Sequence, residues 1–363
     1  MRHTADIDTD LRQAPVHGGR RREAARRFGI PKEELLDFSA SINLLGPPPA
    51  SVDAVRKAVA EIAHYPEAAS PGLAANVADY LGVLPGEVVL GNGSTEIIYW
   101  LAAVLAPRRV LVIDPTFSEY RRACLAAGAE VSSLLLPEAA GFALDVGRVQ
   151  SHGFDLVFVC NPNNPSGYLA PFDEIEYLWG KCRQAGAGLV VDEAFIDFSG
   201  GESILTAGPV AGLYVIRSFT KSFALAGLRV GCLAATAEFA AAIRRRLPPW
   251  NINTMARAAL EAALADHSYQ EKTQAATARA RERLFAELGQ IAGIEPLPSA
   301  ANFILLRLGN GGAAAVVDKL GRSGILVRDC RSFPGLGDSY IRIAVRAERE
   351  NYQLVSALKR LFR

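Results

Sequence analysis

Six apolar runs, at residues 88–90, 110–113, 131–136, 156–159, 189–191 and 213–216, alternate for the most part with stretches of helical periodicity, and this alternation limits the folds open to the chain more than any other feature. Apolar strands with little polar alternation must be covered on both faces, and intervening helices supply the cover. The pattern therefore predicts an α/β fold with a mostly parallel central sheet flanked by helices. With 363 residues, half of them apolar, the chain can bury a large core. A three-part organisation is expected: an N-terminal arm over 1–45 that joins the smaller unit, a large domain over 46–250, and a small α+β domain over 251–363.

Ligands bind parallel sheets of this kind at the carboxyl ends of the strands, and there the polar residues gather. Lys221 follows the last run, near Ser218, Thr220 and Arg229. Burial at the end of a core strand disfavours an ammonium, leaving an amine able to condense with an aldehyde. The neighbouring hydroxyls and guanidinium suit a phosphate monoester. After the first run, Gly91-Asn92-Gly93-Ser94-Thr95 opens a helix, whose N–H groups and positive end make a second set of phosphate donors. Asp192 stands at the tip of the run 189–191, where a carboxylate is costly to bury unless it faces a cation. One cofactor would meet all of these groups: pyridoxal phosphate, with its aldehyde at Lys221 and its protonated ring nitrogen at Asp192. Asn164 is then placed to donate to the ring's phenolic oxygen and Phe117 to stack on its face. Taken singly, each motif has a bland explanation as a surface lysine, a glycine turn, a helix cap or a rigid Asn-Pro loop. Their order at successive strand ends is what argues for a site.

Gly93-Ser94-Thr95, Asn161-Pro162-Asn163-Asn164-Pro165-Ser166-Gly167, Asp192-Glu193-Ala194-Phe195, Ser218-Phe219-Thr220-Lys221 and Gly227-Leu228-Arg229-Val230-Gly231, in this order, resemble the class I/II aminotransferases, pyridoxal phosphate enzymes of fold type I. The resemblance covers nearly the whole chain. It implies Lys221 as the covalent anchor, Asp192 at the pyridine nitrogen and Asn164 at the phenolic oxygen. It also implies Ser94, Thr95, Ser218 and Arg229 at the phosphate. A homodimer with its active site at the subunit boundary is implied too. In it, Tyr65 matches the tyrosine that reaches the neighbouring subunit's cofactor phosphate. Arg342 matches the arginine that pairs with the substrate's α-carboxylate, and Arg328 a position that binds a substrate phosphate, with Arg331 as a possible assistant. His17-Gly18-Gly19 and the runs 36–43, 192–198 and 327–333 resemble most closely the branch that decarboxylates L-threonine O-3-phosphate to (R)-1-amino-2-propanol O-2-phosphate in cobalamin synthesis, with His17 as a further phosphate contact. Phe195, where many relatives carry tyrosine, agrees with that branch. A histidinol-phosphate-type aminotransferase is the alternative, and a non-catalytic regulator that binds the cofactor is the third reading.

The remaining chemistry is exclusion. A net charge of +1 gives no field for nucleic acid or an anionic membrane, and the longest apolar run, 97–106, is too short to span a bilayer. No targeting segment is expected from the N-terminal residues, which lack an apolar core. Five scattered cysteines without CxxC spacing suggest neither disulfides nor a metal site and fit a reducing cytoplasm. Arg20, Arg21, Arg22, Arg26 and Arg27 read as a solvated helix face. A helix capped by Ser51, with Val52, Val55 and Val59 on one face, is expected to end before Tyr65. One alanine-rich helical stretch is expected to run from about residue 254 to Leu288, followed by strands at 302–306, 325–327 and 340–345.

Overall fold

The computed structural model describes residues 17–309 and 312–363, so the start of the expected arm, 1–16, lies outside the described residues. After β1 (Leu36–Asp37) the chain builds a seven-stranded sheet from β2 (Val88–Gly91), β3 (Arg109–Asp114), β4 (Glu130–Leu135), β5 (Leu156–Cys160), β6 (Gly188–Asp192), β7 (Leu213–Ser218) and β8 (Gly231–Ala234), in the order β2-β8-β7-β6-β5-β3-β4. Alternate side chains of each inner strand enter opposite cores. Leu189 and Val191 of β6 face one apolar cluster and Val190 the other, and Leu213 and Val215 of β7 are separated in the same way from Tyr214 and Ile216. A strand wetted on neither face has no use for polar alternation, which is why these segments read as continuous apolar runs. Each aliphatic side chain so buried stabilises the fold by roughly 1.5–3 kcal/mol. β4 lies at the sheet's edge and is mostly exposed, which admits its two serines.

β8 is not among the expected runs. Four residues, Gly-Cys-Leu-Ala, carry too little periodicity to read, yet they pair antiparallel with both β2 and β7 and make the sheet mostly rather than wholly parallel. A second, antiparallel sheet follows in the C-terminal part of the chain. β9 (Ile294–Pro296), β10 (Phe303–Leu308) and two later strands lie in it, and β11 (Ile325–Leu326) instead pairs in parallel with β1. The later two are β12 (Arg328–Asp329) and β13 (Tyr340–Ala344), giving the order β12-β13-β10-β9.

Two local expectations are corrected. The helix Pro49–Ala58 begins before Ser51, because Pro48 and Pro49 preset the entry and Pro49 needs no amide partner at the first helical position. Ser51 is fully buried instead of capping, its Oγ donating to the Ala259 carbonyl at 2.8 Å, and Val59 is 52% exposed beyond the helix end. The alanine-rich stretch is two helices, Thr254–Leu264 and His267–Leu288, because Asp266 leaves helical geometry at φ −91°, ψ 81°.

Below the cleft, Arg217 of β7 is buried between two acids. It donates to Asp197 and, at 3.5 Å, to Glu193, while the Tyr80 hydroxyl donates to Asp197 at 3.2 Å and the Ser203 hydroxyl to Glu193 at 2.5 Å. Removing one member of such a network strands buried charge. Arg217→Met is therefore expected to lower unfolding stability by about 3–5 kcal/mol, read as a reduced urea midpoint at unchanged slope. An unchanged midpoint would show that the acids simply take up protons.

Candidate active site

The carboxyl ends of β2, β3, β5, β6 and β7 open into a cleft of about 420 Å³ that the C-terminal sheet and the segment 17–41 close from the other side. Lys221 sits in the one-turn helix Phe219–Ser222 directly after β7, with its side chain on the cleft. Its amine is pushed down to about 8 by burial, then by the nearby Arg342 and Arg229 guanidinium groups, with Asp192 partly opposing them. The cleft therefore holds a lysine of which about a tenth is neutral at pH 7, against roughly one part in a few thousand for an ordinary lysine.

Asp192 ends β6 and is buried. Its Oδ1 accepts the Ala194 amide at 2.9 Å and its Oδ2 accepts the Tyr120 hydroxyl at 2.5 Å. Burial pushes its carboxyl up to about 6, against the lowering effects of Tyr120, the Ala194 amide and Lys221. A buried carboxylate with two neutral donors still lacks a cation in contact. A protonated heteroaromatic nitrogen supplies one, and Phe117 and Asn164 line the same wall.

At the end of β2, Gly93 adopts φ +81° and precedes the helix Ser94–Leu105, whose N-terminus no side chain caps. A Cβ on Gly93 would stand 2.2 Å from a guanidinium nitrogen of Arg229, and one on Gly231 would stand 2.6 Å from the Ser94 amide. Both glycines are thus required by the close approach of Arg229 and β8 to the helix end. Arg229 itself holds a left-handed backbone, φ +61°. Ser94, Thr95, Arg229, Ser218 and Thr220 line this end of the cleft, the last two with hydroxyls 2.7 Å apart. An uncapped helix end, hydroxyls and a guanidinium in one corner make a donor set fitted to a phosphate monoester.

The C-terminal sheet contributes the other cations. Arg328 of β12 and Arg342 of β13 are direct cross-strand partners, and both are buried, 6% and 7% exposed. Arg342 donates to the Asn164 side chain and to the Ser39 carbonyl and lies over the Phe303 ring. Arg328 donates to the Ser332 hydroxyl at 2.9 Å and lies over Phe333. Neither meets a carboxylate in these contacts, and Nη1 of Arg328 and Nε of Arg342 are buried without a partner. Burial pushes Arg342 down to about 10. Two desolvated like charges side by side are unfavourable unless an anion joins them.

His17 reaches the cleft mouth, its Nε2 3.0 Å from Glu119 and its ring against Phe117. Tyr65 is not brought to the cleft. It is 79% exposed and stacks on Trp250 with ring centroids 4.4 Å apart. Gly93 supports the phosphate corner from behind, and Arg331 is exposed and paired with Asp329. Sequence reading missed Tyr120 and Glu119. Tyr120 lies in the first turn of the helix that follows Phe117, and the two rings meet edge to face. Among the described residues no cluster of side chains suited to a metal ion occurs, and no helix is long and apolar enough to cross a membrane.

Comparison with known proteins gives the family and the fold. The chain is 35% identical over 349 residues to a threonine-phosphate decarboxylase of Salmonella typhimurium, covering 95% of this chain and 96% of that protein. It superposes on a histidinol-phosphate aminotransferase from Clostridium acetobutylicum with a TM-score of 0.83 and 31% identity, covering 90% of this chain and 99% of the other. An L-threonine-O-3-phosphate decarboxylase from Porphyromonas gingivalis gives a TM-score of 0.82 and 27% identity, over 89% and 98% of the two chains. The sequence profile described as aminotransferase class I and II matches residues 33–361, and by that match the chain belongs to the class I and II aminotransferase family.

Proposed function

We propose that this chain decarboxylates L-threonine O-3-phosphate to (R)-1-amino-2-propanol O-2-phosphate, a step of cobalamin synthesis, as a homodimer in the cytoplasm. The observation that carries the substrate class is the cross-strand pair of buried arginines, Arg328 and Arg342, each with a guanidinium nitrogen still unpartnered. A substrate with two anionic groups, a carboxylate and a phosphate, satisfies both. The likeness to the Salmonella decarboxylase supports the reaction type, as does Phe195, a buried ring packed edge-on to Phe303 that offers no hydroxyl to the cofactor. For assembly, Val59, Ile62 and the stacked pair Tyr65 and Trp250 are exposed large apolar residues, which suits contact with a second copy, whose cofactor phosphate Tyr65 would reach. Residues 46–250 form the large domain in this reading, and 1–45 with 251–363 the small one.

The family works with pyridoxal phosphate, which when bound supplies an aldehyde for amines and a ring that accepts the electron pair left at a substrate's α-carbon. Lys221 would hold that aldehyde, and its Nζ would carry a proton to the substrate's α-carbon. Asp192 keeps a proton on the ring nitrogen. Ser94, Thr95, Ser218, Arg229 and the amide end beside Gly93 seat the cofactor phosphate, while Asn164 and Phe117 fix the ring. Arg342 takes the substrate carboxylate, and Arg328 with His17 takes its phosphate. Holding both ends would fix the orientation of the substrate's α-carbon, and with it which of its bonds is placed to break.

The decisive assay gives purified, cofactor-loaded protein L-threonine O-3-phosphate, L-serine O-phosphate, and histidinol phosphate with 2-oxoglutarate in separate reactions. Carbon dioxide release without keto-acid consumption is the expected result. Glutamate formation from the third mixture would make the protein an aminotransferase, and no turnover would make it a binding protein. Cofactor uptake offers a substrate-free check. Only the neutral amine attacks the aldehyde, so the rate at which ligand-free protein captures pyridoxal phosphate is expected to rise with pH up to about 8 and then level, by stopped-flow absorbance. A rate still climbing past about pH 10, as an ordinary lysine's would, contradicts the lowered value.

A further inference from the structure

We propose that Tyr120 is a positioning residue that holds Asp192 in its ionised form, so that the carboxylate stays available to a protonated ring nitrogen. The proposal rests on the reading of Asp192 as the partner of that nitrogen, and goes beyond it by naming what keeps the charge there.

The geometry is specific. Tyr120 lies in the first turn of the helix Ser118–Ala126, is fully buried, and stacks on Phe158 of β5 with centroids 5.1 Å apart, while its edge meets Phe117. Two aromatic contacts fix the ring, and its hydroxyl donates to Oδ2 of Asp192 at 2.5 Å. Oδ1 is already committed to the Ala194 amide at 2.9 Å. The charged and titratable groups around the carboxyl are Tyr120 from that helix, Cys160 from the end of β5 and Lys221 from the turn after β7, with the Ala194 amide from the loop after β6. Of these, Cys160 is a neutral thiol, held so by burial, and Lys221 no longer presents a free ammonium once its amine is committed to an aldehyde. Tyr120 is then the side-chain donor that persists in the loaded state.

Its own proton is secure. Burial and then the Asp192 charge push the phenol well above the ordinary tyrosine range, so it donates throughout the working pH range. A hydrogen bond donated to a carboxylate favours the charged form, and such charge-assisted bonds are the stronger kind. Removing it raises the Asp192 pKa further. The consequence has a sign: the variant loses the carboxylate as pH falls and recovers it as pH rises.

The test uses the full chain as wild type, Tyr120→Phe and Asp192→Asn, with pyridoxal phosphate as the probe and no substrate. Dissociation constants are measured across pH 6 to 9, and the visible spectrum of the bound cofactor is recorded. Lys221 feels the Asp192 charge, so the affinities are read together with a direct titration of the Asp192 carboxyl. Tyr120→Phe is expected to bind about tenfold more weakly at the acid end and to approach wild type at the alkaline end. Asp192→Asn is expected to bind weakly at every pH. Infrared difference spectra of the cofactor-free proteins report the Asp192 carboxyl directly, and its protonated band is expected to persist to higher pH in Tyr120→Phe. A Tyr120→Phe deficit of equal size at every pH, or none, overturns the proposal while leaving the site reading intact. Wild-type affinity in Asp192→Asn overturns the site reading and the proposal with it.

Discussion

Replacing Lys221 by alanine is expected to abolish the visible absorbance of a covalently held cofactor and to lower turnover by at least about 10,000-fold, the upper end of what a single proton-transferring group supplies, because covalent capture and proton delivery fail together. Cofactor affinity should fall far less. The phosphate corner made by Ser94, Thr95, Ser218 and Arg229 does not involve Nζ, so pyridoxal phosphate remains bound but dialysable. Stability gives an independent check on the buried amine. Its folded-state value of about 8 lies below that of an unfolded lysine, so at neutral pH the unfolded chain binds this proton more tightly and the ammonium disfavours folding. The penalty shrinks as pH rises from about 8 to about 10.5. Cofactor-free Lys221→Ala should therefore melt no lower than wild type near pH 7. An alanine variant with full turnover, or one markedly less stable at neutral pH, would remove Lys221 from the role proposed for it.

How much of this was legible in the sequence depends on whether local pattern or distant packing decides each feature. The inner strands were readable because burial on both faces leaves a continuous apolar run. β8 was not, since four residues with no readable period gain their strand character only from β2 and β7 on either side. Ser51 looked like a cap by residue type, but the Pro48-Pro49 pair starts the helix earlier and the Ala259 carbonyl claims the hydroxyl. At the site, Lys221, Asp192, Ser94, Thr95, Ser218, Arg229 and Asn164 were marked by their place after strands, and the cleft brings them together. Tyr120 and Glu119 sit inside a helix, where a tyrosine or a glutamate is unremarkable until Asp192 and His17 are seen facing them. Tyr65 lay in a legible motif, but the fold leaves it exposed and stacked on Trp250, away from the cleft.

The two arginines should divide the substrate between them, and that division separates the proposed chemistry from a merely cationic pocket. Arg342→Ala is expected to reduce kcat/KM by on the order of 100-fold or more for any amino-acid substrate, since a desolvated guanidinium that meets a carboxylate is among the costliest contacts to lose. Arg342→Lys should recover little of this, because an ammonium cannot keep Ser39, Asn164 and a substrate carboxylate in one planar fork. Arg328→Met should act differently. Its cost, again on the order of 100-fold, is expected only for phosphorylated substrates, with unphosphorylated L-threonine processed as slowly by the variant as by the parent. Because Arg328 and Arg342 are cross-strand neighbours with no acid among their contacts, removing either also relieves repulsion on the other, so the substrate-free variants should be at least as stable as wild type. Measured as a double-mutant cycle over substrate phosphate and Arg328, the coupling should account for nearly the whole loss. If Arg328→Met instead weakens phosphorylated and unphosphorylated substrates equally, Arg328 shapes the pocket without reading the phosphate, and the substrate class proposed for this cleft falls.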